Sequence, residues 1–79
     1  MKKHQPRHAI AEIELLRCEY VAQCTRPGCP HYPAMTIVRY LDDQGRALRQ
    51  FQVCDRHAEV TIRREQLAGR PVRDLRSSP

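Results

Sequence analysis

Apolar residues recur at two different periods along this chain of 79 residues. From Ala34 to Leu41 (Ala-Met-Thr-Ile-Val-Arg-Tyr-Leu) they are dense and β-branched, which predicts the best strand of the chain. Asp42-Asp-Gln-Gly45 reads as a hairpin turn, and a return strand follows over about Ala47–Val53. In that strand Leu48, Gln50 and Gln52 alternate with Arg49, Phe51 and Val53, so Phe51 and Val53 are expected to face the core.

The pattern then changes. A helix is predicted from about Arg56 to Ala68, with Asp55 as its N-cap, Gly69 at its end and Pro71 barring continuation. Its apolar stripe is weak, with Ala58 and Ile62 on one side and Val60 and Leu67 on another. Earlier in the chain, Ala9–Ala22 fits both periods. Leu16, Cys18, Tyr20 and Ala22 alternate as in a strand, whereas Ile10, Ile13, Leu16 and Tyr20 keep helical spacing. A strand over about 13–22 is favoured, with the residues from Ala9 open to helix. Residues 1–8 read as a disordered basic tail, 9–69 as a single domain and 70–79 as a flexible tail.

Between the ambiguous segment and the helix lie two close pairs of soft donors. Cys24-Thr-Arg-Pro-Gly-Cys29 is followed, after twenty-four residues, by Cys54-Asp-Arg-His57. Thiolate and imidazole are the donors Zn²⁺ prefers, and three Cys with one His close a tetrahedral structural site. The hairpin between the pairs would fold back to bring them together. Pro27-Gly28 signals a type II turn, which points backbone N–H groups at the preceding thiolate. Cys54 and His57 sit at a predicted helix start, where free N–H groups and the dipole favour thiolate. Cys18 reads as a small core residue that competes with Cys24 or Cys29 as a ligand, and His31, set among prolines, as a loop residue with the same option.

Composition sharpens this picture. So short a chain buries little, and four aromatic residues (Phe51 and three Tyr) make a thin core, so a metal would act as a staple. Glu12 and Glu14 interrupt the first apolar run, leaving neither a signal-peptide core nor a membrane span; the cytoplasm, where thiols stay reduced, is the expected address. The net charge of +5 divides as +1 over residues 1–23, +2 over 24–53 and +2 over 54–79, so it forms no patch along the sequence. Three zinc-bound thiolates would bring it nearer +4. Nucleic-acid binding is permitted by this charge but not demanded.

Knuckle, hairpin, and a helix whose first turn carries the last ligands resemble the treble-clef class of zinc fingers over about residues 24–68. The chain is also similar to small bacterial zinc-ribbon-like proteins. The shared residues are Cys24, Pro27, Gly28, Cys29, Pro33, Ala34, Cys54, Asp55, His57 and Ala58. The resemblance implies one structural zinc on Cys24, Cys29, Cys54 and His57. It departs in the knuckle, which has four residues between its Cys where the class usually has two. Functions in that class run from nucleic-acid binding to protein adaptors, so the likeness names no partner.

The expected fold is a small α+β zinc-stabilised domain with a knuckle, an antiparallel sheet of two or three strands and one C-terminal helix. Catalysis is not expected. Four ligands would close the metal site, Ser occurs only at Ser77 and Ser78, and no Asn or Cys-x-x-Cys pair is present. A non-catalytic recognition or adaptor module is the primary reading, with no membrane and no small-molecule substrate. The alternative is a nucleic-acid binder using Arg56, Arg63, Arg64 and Arg70, although Glu59 and Glu65 among them read as an ordinary solvated surface. Tyr20, Tyr32 and Tyr40 are candidates for base stacking or for covering the core.

Overall fold

Four strands and one helix make up the fold in the computed structural model, which describes residues 9–77. β1 spans Glu12–Arg17, β2 Thr36–Leu41, β3 Ala47–Val53, α1 Asp55–Leu67 and β4 Val72–Asp74. The sheet order is β3-β2-β1-β4. β2 runs antiparallel to both β1 and β3, whereas β4 lies parallel to β1. The domain is therefore α+β with a mixed sheet. The antiparallel sheet of two or three strands is corrected to four strands, one of them parallel.

The extra strand corrects a second expectation. Within the segment read as a flexible tail, residues 72–74 pair with Ile13, Glu14 and Leu15. Only Val72 and Leu75 are apolar there, too few to mark a strand by pattern. What holds it is visible only across the sheet. Ile13 N–H donates to Pro71 C=O (3.0 Å), Leu75 N–H to Leu15 C=O (2.8 Å), and Arg73 lies 2.8 Å from Glu12. The basic tail expected over residues 1–8 lies outside the described residues.

β1 settles the ambiguous segment as strand from Glu12, but it stops at Arg17 instead of running to 22. Beyond it the chain forms an irregular ribbon. Cys18 N–H donates to Met35 C=O and Ala34 N–H to Ala22 C=O (both 3.0 Å), while Gln23 and Pro33 form an isolated bridge. Five residues thus oppose two, and Tyr20 and Val21 are pushed into solvent.

One face of the sheet carries the core. Ile13, Leu15, Val38, Tyr40 and Val53 are buried beneath α1, and Phe51 packs at the cluster's edge, stacked on Tyr40 at 5.7 Å. Both core expectations on β3 hold. The helix contributes little apolar surface, since its buried residues are Ala58, Thr61 and Glu65. Its C-terminus closes as a Schellman motif, with Gly69 N–H on Gln66 C=O and Arg70 N–H on Glu65 C=O. Gly69 has φ of 82°, which a side chain resists, and this turn sends the chain back into β4. Among the described residues no helix is long and apolar enough to cross a membrane.

Candidate metal centre

The knuckle is docked on the end of β3. Thr25 places both its N–H (3.1 Å) and its hydroxyl (3.0 Å) on Gln52 C=O, and Cys24 N–H donates to Tyr32 C=O (2.9 Å). Between the two cysteines, Cys29 N–H donates to Arg26 C=O (3.1 Å), with Pro27 and Gly28 as the central residues. Gly28 has φ of 85°, as the third position of a type II turn requires. The turn expected at Pro27-Gly28 is thus present, inside a knuckle with four residues between its cysteines.

Opposite the knuckle stands the start of α1. Cys54 is the N-cap and makes no side-chain capping bond, which leaves its sulfur free to face Cys24 and His57. Asp55 is therefore the first helical residue and not the cap; its carboxylate suits the positive end of the helix dipole. His57, three positions after the cap, brings Nδ1 to 3.3 Å from Cys54 Sγ and 3.5 Å from Cys24 Sγ.

The sulfurs of Cys24, Cys29 and Cys54 and a ring nitrogen of His57 all lie within 4.8 Å of one another. A tetrahedron with zinc bonds of about 2.3 Å to sulfur and 2.0–2.1 Å to nitrogen has edges of roughly 3.5–3.8 Å. The observed contacts are compatible with those edges. The three cysteines of the cluster are buried and none forms a disulfide. Three thiols and an imidazole converging in so small a volume fit a metal ion as their common partner.

Electrostatics within the cluster is divided. Burial pushes the Cys24 thiol up, against the N–H groups of Arg26 and Cys54 that favour its thiolate. Burial also opposes ionisation of Cys29. There it is outweighed by the N–H groups of Tyr32 and His31 and by the Cys24 and Cys54 thiols, so its pKa falls below the ordinary thiol value. This gives His31 a role that the sequence did not suggest. Its ring is exposed and stands outside the cluster, but its backbone is left-handed (φ 67°), a conformation that costs a non-glycine residue about 1 kcal/mol. The N–H groups of this turn, at His31 and Tyr32, are the ones that favour the Cys29 thiolate.

Cys18 also stands apart. It is half-buried rather than a core residue, with its thiol on Tyr20 C=O (3.4 Å). Neither Cys18 nor His31 belongs to the cluster.

The four candidate arginines divide. Arg56, Arg63 and Arg64 are exposed on α1, whereas Arg70 turns inward and holds Glu65 at 2.7 Å. Glu65, read as a surface residue, is buried and also accepts the Tyr40 hydroxyl (3.1 Å). Burial and then the Glu65 carboxylate push the Tyr40 phenol up. Sequence spacing carried no signal for this pair, because its partners come from β2 and from beyond the helix end. Tyr40 covers the core; Tyr20 and Tyr32 are exposed. Compared with protein-family models, with curated proteins and with solved structures, the chain matches none.

Proposed function

We propose that Cys24, Cys29, Cys54 and His57 hold one structural Zn²⁺ and that the chain is a treble-clef-like, non-catalytic recognition module. The observation that carries this reading is the convergence of four soft donors from two separate elements into a buried cluster. Four protein donors fill a tetrahedral shell, so no position remains for water or substrate. The bound ion would fasten the knuckle to the helix start, and a surface held in this way suits binding better than chemistry. The knuckle–hairpin–helix order supports the treble-clef class, while β1 and β4 extend the hairpin into a larger sheet.

Native mass spectrometry of protein purified under reducing conditions without chelator tests this directly. The expected result is one zinc per chain, released by a strong chelator or near pH 4–5, where protons compete for the ligands. Protein free of zinc under those conditions would sink the metal assignment.

A further inference from the structure

Sequence order spreads the positive charge evenly, but the fold sorts it. Residues 9–77 contain eleven arginines, and six of these lie against carboxylates, leaving five. Arg26, Arg49, Arg56, Arg63 and Arg64 have no ion-pair partner among the described residues. They are not scattered. Arg26 and Arg49 line a groove of about 330 Å³ between the knuckle turn and β3, with Pro27 and Phe51. Arg63 and Arg64 line a second groove, of about 340 Å³, with Val60 and Leu67. Arg56 lies on the same helical stripe as Arg63, two turns earlier.

Tyr40 connects the two grooves. The Arg49 guanidinium lies 5.4 Å from the Tyr40 ring and 6.0 Å from that of Phe51, and the Tyr40 hydroxyl donates to Glu65 (3.1 Å), the chain neighbour of Arg64. The β4 flank of the sheet is the opposite in character. There Arg73 and Arg76 are occupied by Glu12, Glu14, Glu59 and Asp74.

An isolated anion would satisfy one groove only. A second copy meeting this one through the same surface would set arginine against arginine. An extended polyanion whose charges alternate with flat apolar groups satisfies both grooves, because each combines guanidinium with apolar surface. Guanidinium forks also match phosphate geometry. We propose that the knuckle–β3 flank and the outward face of α1 bind a nucleic-acid strand, with Arg26, Arg49, Arg56, Arg63 and Arg64 as phosphate contacts. This rests on the reading of the chain as a zinc-held recognition module and names its partner class.

The test uses the full zinc-loaded chain and a labelled single strand of about 20 nucleotides, long enough to span such a surface. Binding is titrated from about 50 to 200 mM potassium chloride; three to five phosphate contacts predict a log–log salt slope of about −2 to −3.5. The double substitution Arg49→Gln/Arg63→Gln should make that slope shallower by about 1.4. The charge-matched control Arg17→Gln/Arg46→Gln removes two arginines already paired with carboxylates, and should leave slope and affinity unchanged. Equal losses in the two variants would overturn the surface assignment. So would absent binding at the lowest salt, or displacement by polyglutamate as effective as by nucleic acid. Zinc is assayed in the same samples. Zinc-loaded protein that does not bind overturns the surface alone, whereas metal-free protein that binds overturns the metal reading alone.

Discussion

The two ends of α1 are fastened to the rest of the fold by different means. At the N-terminus Cys54 and His57 face Cys24 and Cys29, and nothing apolar larger than Ala58 is buried nearby on the helix. At the C-terminus Glu65 is held by the Tyr40 hydroxyl and the Arg70 guanidinium, and the Schellman turn satisfies the last carbonyls. The second end completes its polar contacts from within the chain. The first end gathers three thiols and an imidazole that could hold a metal ion, and once ionised the thiolates would repel one another without such a cation. A helix with so small an apolar face depends on both fastenings, and they should fail under different conditions.

The largest expected effect is at the N-terminal end. Cys54→Ala should lower zinc from one per chain to none and remove on the order of 10 kcal/mol of folding free energy, the scale of structural zinc in finger peptides. The knuckle and hairpin should then lose their fixed packing on α1, read as collapse of the dispersed amide NMR spectrum. Cys18→Ala is the matched control. It should keep the metal and cost about 1 kcal/mol or less, as a trimmed, half-buried side chain outside the cluster. Full zinc occupancy in the Cys54 variant, or its loss in the Cys18 variant, would break the assignment of ligands.

At the C-terminal end the effect should be smaller and independent of metal. Glu65→Ala leaves the Tyr40 hydroxyl and the Arg70 guanidinium without their acceptor. Breaking a buried pair costs about 3–5 kcal/mol, but Arg70 is 39% exposed and can rehydrate, so about 2 kcal/mol is expected. Zinc content should not change. A urea midpoint equal to that of the unmodified protein would show that the C-terminal fastening is ornamental. A loss of zinc would show that the two ends are one cooperative unit.

This contrast also explains what could be read in advance. A cluster of soft donors announces itself, because donor type and short spacing are properties of the sequence; hence Cys24, Cys29, Cys54 and His57, which the fold brings together and which could hold a metal ion. The hairpin was legible for the same reason, through the β-branched run before Asp42 and the alternation after it. Glu65 was not, since nothing local distinguishes a buried carboxylate from the exposed Glu59 earlier on the same helix. β4 was hidden because three residues with one apolar side chain carry no period, and its partners lie some sixty residues earlier. Arg26 and Arg49 were overlooked as well, because their lack of carboxylate partners is a property of space and not of sequence.

The smallest predicted effect concerns how β4 is tied down, and its sign is set by Asp74. The Arg76 guanidinium, 2.8 Å from Asp74 Oδ2, lowers the Asp74 pKa below the ordinary carboxylate value; partial burial opposes this and the Arg76 N–H adds to it. A carboxylate whose folded pKa is depressed contributes stability that is fully present above its unfolded pKa, about 3.9, and is lost as pH falls through the folded value. The contribution is modest because Asp74 is 47% exposed and the pair is screened; at most about 1 kcal/mol is expected. Arg76 also reaches Glu59 on α1 at 3.4 Å, so the contact links the residues after β4 to the helix. Asp74→Asn should therefore lower the urea midpoint slightly, by the same amount at every pH from about 8 down to about 5.5, a window chosen to lie above acid release of the metal. Backbone exchange at Leu75, whose N–H is held by Leu15, should rise in the variant while exchange at Ala58, beside the candidate metal centre, stays put. A gap between the two proteins that already closes between pH 7 and 5.5 would mean that Asp74 takes up its proton too early, and that its pKa is raised by burial instead of lowered by Arg76.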